Sequence, residues 1–308
     1  KTWQSTNTFT TKRNGIIYGF AKDAVGNISQ PVAIDIQNID REKPVADKII
    51  VTKTSSSLMR SMLSFFNKQA EIEIVAHDIG GSAISKIEYQ LVPEGSTEDA
   101  AGWLEYSDTA RPIIERRFNG KIHARCIDTA GNVSDVLSSD VIVEDTPPTA
   151  THLLNTESWT NSDVTISIAA QDDLSGVHHI LLPDGQEVSA AAADYIVADN
   201  GTYAFSVFDN SGNEFKYPVA VSNIDKTSPT QPKTKAFANA FFANGRSVFS
   251  WTNKAMTLEF ASSAPSGICA YEYKCKNNDW QPILENSLTV KDEGINVVEI
   301  RSLSNAGN

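Results

Sequence analysis

One phrase recurs four times along the chain and constrains the fold more than any other feature: a glycine, a run with apolar residues at alternate positions, and an acidic turn ending in Gly-Asn. The copies run from Gly15 to Asp23-Ala-Val-Gly26-Asn27, from Gly120 to Asp128-Thr-Ala-Gly131-Asn132 and from Gly201 to Asp209-Asn-Ser-Gly212-Asn213. A fourth runs from Gly294 to Ser304-Asn-Ala-Gly307-Asn308. In the first three, glycine and aspartate are eight residues apart, and positions two, four and six after the glycine share one strand face. These positions hold Ile17, Gly19 and Ala21, then Ile122, Ala124 and Cys126, then Tyr203, Phe205 and Val207. A period of two with a small or apolar inner face is a half-buried strand. Asp-x-x-Gly-Asn is turn chemistry, in which aspartate bonds its own backbone and glycine takes the left-handed conformation.

Each copy is therefore a strand entering a hairpin, and the stretches between copies supply further strands. Alternating runs lie at 71–76, 84–92, 164–170, 177–182, 255–261 and 268–276. Several strands per ~80–100 residues, with no long helical period, predict β-sandwiches. Acid-to-proline joints at Asp40–Pro44, Asp145–Pro147 and Asp225–Pro229 mark the boundaries. They divide the chain into 1–42, the C-terminal half of an immunoglobulin-like domain; 43–145, a domain with a short helical insertion; 146–226; and 227–308, which lacks its last strand. The insertion rests on Leu58, Met62 and Phe66 at helical spacing, and 237–245 is a second candidate for a short helix. The expected fold is thus all-β: tandem immunoglobulin-like β-sandwich domains in an elongated array.

A chain of 308 residues fits roughly three domains of ordinary size, and its net charge of −12 opposes nucleic-acid or anionic-membrane partners. No apolar run approaches the ~20 residues of a membrane span. Cys269 and Cys275 lie six apart on one expected strand, roughly 20 Å between α-carbons, too far for a disulfide. Cys126 is an inward core position.

Loop position groups Asp172-Asp173 with Asp209, and His77-Asp78 with Asp128, as calcium-ligand candidates. Turn and joint chemistry accounts for the same carboxylates, so no metal or other cofactor is expected. His178 and His179 are neighbours on a strand and should point to opposite faces. Nucleophile elbow, metalloprotease helix and phosphate-binding glycine loop are all missing from the sequence, so no catalytic residue is assigned.

Three stretches are similar to the bacterial Ig-like repeats of large cell-wall proteins of gut Gram-positive bacteria. They are Phe65-Phe66-Asn67-Lys68; Ile84 to Val92 with Lys86-Ile-Glu-Tyr89; and Asn119-Gly120 with Asp128-Thr-Ala-Gly131-Asn132-Val133-Ser134. The resemblance covers essentially the whole chain and is weakest in the fourth copy, where Ser304 replaces aspartate. It implies extracellular display on the cell wall, the anchor lying outside this stretch. It also implies tandem stalks and, in some members, adhesion or binding of host immunoglobulin as a B-cell superantigen.

Three function classes follow: a non-catalytic module binding a host protein, immunoglobulin being the sharpest candidate; a passive stalk; and an accessory region of a carbohydrate-active enzyme. Tyr18 and Phe20 fall on the outer face of the first phrase, where the second has His123 and Arg125. They are candidate ligand-binding anchors, with Arg60 and Phe66 in one repeat-specific stretch and Phe241 and Arg246 in another. A monomer is expected. Short proline-bearing joints restrict bending, so small-angle scattering should report an elongated particle with a narrow range of interdomain angles; a compact globule would contradict this.

Overall fold

The structure, a computed structural model, describes residues 3–308 except 53–64, 97–101, 116, 235–239, 244–245, 250–252, 276–277, 285–286 and 295. Side chains between 240 and 249 also lie outside the description. Among the described residues every regular element is a strand. By its contacts the chain forms two compact units. One holds Lys1–Pro147 with Asp173–Gly176 and Asn210–Asn213, the other Pro148–Asp172, Val177–Asp209 and Glu214–Asn308.

In the first unit, β1 (Gly15–Gly19) and β2 (Val32–Ile36) form a two-stranded antiparallel ribbon. Next come β3 (Val45–Thr52), β4 (Phe65–Asn67), β5 (Gln69–His77), β6 (Ile84–Pro93), β7 (Leu104–Glu105), β8 (Ile113–Glu115), β9 (Phe118–Asp128) and β10 (Leu137–Glu144). They make a sheet β3-β5-β8 and a sheet β4-β10-β9-β6-β7. Alternate residues of both sheets meet in one core: Ala70, Ile72 and Ile74 of β5 and Ile114 of β8 against Ile122 and Ala124 of β9 and Val141 and Val143 of β10. Cys126, the third inner position of the phrase, is fully buried.

The second unit carries β11 (Thr149–Leu154), β12 (Val164–Gln171), β13 (Val177–Leu181), β14 (Glu187–Val188), β15 (Ala192–Val197), β16 (Gly201–Asp209) and β17 (Glu214–Val221). A sheet β11-β12-β15 faces a sheet β14-β13-β16-β17 across Val164, Ile166, Ile168, Ile180, Phe205 and Val207. Tyr195 of β15 meets Phe205 edge to face at 5.8 Å between ring centroids. Then follow β18 (Lys233–Thr234), β19 (Ala240–Ala243), β20 (Arg246–Phe249), β21 (Met256–Ala261), β22 (Ile268–Cys275), β23 (Gln281–Ile283), β24 (Ser287–Val290) and β25 (Val298–Ser304). β19-β20 is a hairpin, and the sheets are β18-β21-β24 and β23-β22-β25. Phe260 of β21 packs on Tyr271 of β22 at 4.9 Å.

Stacked sheets of three and three to five strands, antiparallel but for the β4–β10 pair, make this an all-β chain of tandem immunoglobulin-like sandwiches. In the second, third and fourth copies the phrase strand (β9, β16, β25) pairs antiparallel with an earlier strand of its own copy (β6, β13, β22). Each pairing carries a register shift near its start, at Ile84/Lys86, Val177/His179 and Ile268/Ala270. The phrase turns form as the sequence requires, with Gly26, Gly131, Gly212 and Gly307 at φ of 100°, 91°, 91° and 88°.

Three expectations are corrected. Residues 58–64 lie outside the description, but Phe65–Asn67 is a strand: β4 pairs in parallel with β10, Phe66 opposite Val143, so a sheet ladder and not a helical turn satisfies its backbone. Helix is also ruled out over Ala240–Ala243, which pairs with Arg246–Phe249 as a hairpin. And His178 and His179 do not diverge. The β-bulge at Val177/His179 cancels the alternation, bringing their Nδ1 atoms to 2.6 Å while His179 stacks on Phe208 at 4.5 Å.

Phe205 is 1% exposed, so Phe205→Ala should lower the stability of its sandwich by about 3–5 kcal/mol in urea denaturation. Tyr18→Ala, on an exposed ribbon, should stay within about 0.5 kcal/mol.

Candidate functional site

Two features recur from copy to copy: the joints, and the outer faces of the phrase strands. At the joints one geometry is built three times from the same sequence pieces. The joint residue Asp40 accepts the Ser82 N–H at 3.0 Å, while its carbonyl accepts an Asn132 side-chain N–H at 3.3 Å. Glu144 accepts the Ser175 N–H at 3.1 Å and its carbonyl accepts Asn213 at 3.3 Å. Asp225 accepts the Ser266 N–H at 2.9 Å and its carbonyl accepts Asn308 at 2.6 Å. The last asparagine of the second, third and fourth phrase turns thus clamps the acid that precedes its own repeat.

On the other side of two joints a second asparagine holds the neighbouring isoleucine by both backbone groups. Asn14 bonds the N–H and carbonyl of Ile39, each at 2.9 Å; Asn200 does the same to Ile224 at 2.8 and 2.7 Å. Both asparagines immediately precede the glycine of a phrase. Sequence reading credited joint stiffness to proline alone and missed these clamps, although the recurrent Asn-Gly at 14, 119 and 200 was visible.

Asp40, Asp78 and Asp128 each bring one carboxylate oxygen within 4.8 Å of the others. The sequence pairing of Asp78 with Asp128 is therefore real, but His77 turns away to Asp47 at 2.7 Å and Asp40 takes its place. Of the other group, Asp172 and Asp209 bring carboxylate oxygens within 4.8 Å of each other, whereas Asp173 pairs with Arg117 at 2.8 Å. An all-oxygen set of this kind could hold a hard cation. N–H donors already serve the same oxygens: Gly81 and Ala83 at 2.9 Å on Asp78, Asn132 at 2.8 Å on Asp128. Close approach explains Gly80, where a Cβ would stand 1.9 Å from an Asp40 oxygen.

On the outer faces, Tyr18 is 58% exposed and Phe20 39%, with Ile16 beside them at 56%. The other anchors divide. Phe66 is corrected: it is 5% exposed, packed in the core beside Val143, because the strand phase of β4 turns it inward. Arg60 lies outside the described residues, and Phe241 and Arg246 sit on the β19-β20 hairpin. A recurrent outer-face device was missed. Arg125 lies 4.1 Å over the Trp103 ring and is held by Glu88; Arg301 lies 4.4 Å over the Trp280 ring and is held by Glu272. Lys22 stands 5.6 Å over Trp3. The tryptophans precede their phrase glycines by 12, 17 and 14 residues, and this variable spacing hid them.

The Ser82 side chain foremost, opposed by burial and aided by the Glu42 and Ser82 N–H groups, holds Asp40 below its ordinary 3.8. Burial pushes Asp128 up, but its bonds from Asn132 and neighbouring groups outweigh it and the net direction is down. Asp225 is lowered chiefly by the Ser266 side chain. A carboxylate depressed by folding stabilises above its unfolded value and loses that contribution as pH falls through the folded one. Amide protection at Ser82 and Ser266, corrected for intrinsic exchange, should therefore hold at pH 6 and decline below about pH 4. Asp40→Ala should abolish the Ser82 response and spare that of Ser266; retention at Ser82 would contradict the clamp.

No family model matches the sequence, and no curated protein does. Among solved structures the chain is similar to the fibronectin(III)-like modules of Clostridium thermocellum CbhA, at 14% identity and a TM-score of 0.28, covering 56% of this chain and 94% of that one. It is similar to the D00-D0 domain of intimin at 12% identity and 0.27, covering 57% and 100%. A tetra-tandem repeat from the extending region of a large adhesion protein aligns over 94% of this chain and 77% of that one, at 11% identity and 0.27.

Proposed function

We infer that the chain is a non-catalytic segment of tandem immunoglobulin-like repeats displayed outside a bacterial cell, on the cell wall, and that it binds a host protein, immunoglobulin being the sharpest candidate. We assign its four repeats to 1–42, 43–145, 146–226 and 227–308. The observation that carries the binding reading is the exposed row Ile16 and Tyr18 on the outer face of β1 with Phe20 just past its end, three large apolar side chains. At the last two of these positions the second repeat has His123 and Arg125, and the third Ala204 and Ser206. A flat sandwich face suits a protein partner better than a small molecule, with aromatic anchors contributing most of the affinity. Tandem copies add avidity.

The joint clamps favour a second reading, a stalk. A bonded pair at each of three joints, side-chain carboxylate to serine N–H and carbonyl to asparagine, restrains the linkers whatever the chain carries.

Binding of the intact chain to a panel of antibodies and other host glycoproteins separates the two. Saturable binding that Tyr18→Ala or Phe20→Ala weakens by about 1–2 kcal/mol or more is the expected result. Binding that ignores both substitutions moves the site off this face, and its absence across the panel leaves the stalk.

A further inference from the structure

The β-bulge in each phrase ladder leaves one residue with no counterpart across the ladder, and the copies fill that place differently. Val177 stands opposite Asp209 and His179 opposite Phe208, so His178 is the extra residue. Ser85 and Cys269 hold the same place in the second and fourth copies, followed by Lys86 and Ala270. Of the three bulges, the third copy's alone sets two imidazoles side by side. Their Nδ1 atoms are 2.6 Å apart, and the rings meet edge to face at 4.9 Å between centroids. Phe208 braces His179 from across the ladder, stacked at 4.5 Å with 9° between the ring planes, while His178 is exposed to solvent.

An imidazole nitrogen bonds a late first-row divalent metal at about 2.0 Å. Two such nitrogens on one ion stand about 2.8 Å apart at the right angle of a square-planar or tetragonal centre, and about 3.3 Å apart at a tetrahedral angle. The observed 2.6 Å lies nearer the first, so the spacing suits Cu²⁺ or Ni²⁺ better than tetrahedral Zn²⁺. Cu²⁺ also has the highest affinity of the series. The surroundings do not oppose a cation: Glu187 opposite Leu181 and Glu214 opposite Phe208 lie on the same sheet face, with Lys216 as the one cation of that set. Among the described residues no carboxylate or thiol joins the pair in a three-ligand set.

We propose that His178 and His179 form a surface chelate for a late first-row divalent metal ion, Cu²⁺ ahead of Ni²⁺ and Zn²⁺, bound through the two Nδ1 atoms with its other positions open to water. In the pair as it stands, one Nδ1 carries a hydrogen and the other accepts it. To bind the ion, that hydrogen leaves Nδ1 and a proton from solvent is taken up at Nε2 of the same ring, so both neutral imidazoles become ligands with no net change in protons. The exposed His178 pivots until the two lone pairs meet at the ion, while the Phe208 stack keeps His179 in place. The site lies in the third repeat and does not rest on the host-protein reading, which concerns Tyr18 in the first.

The test is titration of the intact chain with Cu²⁺ alone, followed by calorimetry and by proton NMR. The chain should bind the ion above the level set by the His178→Gln, His179→Gln double variant, and the paramagnetic ion should broaden the ring signals of His178, His179 and Phe208 first. Either single substitution removes the chelate and should weaken this site about 10-fold or more, because the second ligand must then come from solution. His152→Gln, a histidine bonded to Tyr217 at 2.9 Å, should leave it unchanged. Affinity indifferent to either substitution in the pair, or broadening that begins at His152 or in the Asp78 and Asp128 loops, overturns the proposal. So does an intact chain that binds Cu²⁺ no better than the double variant.

Discussion

Asparagine at the end of each phrase offers one side-chain amide with two hydrogens, and the order of the chain depends on where they go. In the second copy Asn132 gives one to the Asp128 carboxylate at 2.8 Å, closing its own turn, and the other to the Asp40 carbonyl at 3.3 Å, fixing the joint. Aspartate in its place would have no donor when ionised, and glutamine would carry the amide one methylene too far. In the fourth copy aspartate is replaced by Ser304, whose hydroxyl takes the Asn308 N–H at 3.0 Å while the Asn308 amide still reaches Asp225. Serine can close the turn in place of the carboxylate. At all three joints it is the asparagine amide that reaches across, so the fourth phrase keeps Gly-Asn after losing its acid.

The same residues make the turn, the register and the joint, and this shows in what the sequence disclosed. Strand identity was legible because the period of two is a local property: β6 at Ile84–Pro93 and β12 at Val164–Gln171 fall close to the alternating runs that announced them. The core of the phrase strands was legible for the same reason. What failed was local pattern with the wrong cause. Leu58, Met62 and Phe66 have helical spacing, yet Phe66 is inward because β4 joins an edge of the sheet through β10, a contact 77 residues away in sequence that no window can see. His178 and His179 obey alternation in the sequence and break it in the fold, since one bulge residue reverses the facing of everything beyond it.

The site was legible in proportion to how rigidly it is spaced. Serines two residues past the Gly-Asn turn bond back to the phrase strand in the first two copies: Ser29 receives the Ala21 N–H and Ser134 the Cys126 N–H, each at 2.9 Å. That spacing is fixed and could have been read. The tryptophan–cation pairs could not. Their partners lie across strands joined by loops of different length, so Trp103 finds Arg125 and Trp280 finds Arg301 through sheet register alone, Glu88 standing opposite Arg125 and Glu272 opposite Arg301.

Register also explains why the outer faces differ so freely from copy to copy. The inner positions and the turn fix a phrase strand before its outward side chains are specified: the bulge, the asparagine clamp and the buried Ile122, Ala124 and Cys126 leave one alignment of β6 on β9. A side chain at the position of Arg125 can then be arginine under tryptophan, serine bonded to Glu214 as in Ser206, or an exposed phenylalanine as in Phe20, without disturbing the ladder. Charge and aromatic surface at that position are therefore decoupled from stability to first order, the condition under which tandem copies of one scaffold can present different faces. Where an outward residue is instead braced on both sides, as Arg125 is by Trp103 and Glu88, its guanidinium is already engaged within the fold. The outer face of β1 instead carries large apolar side chains, Ile16 and Tyr18, into solvent, with Lys22 over Trp3 nearby.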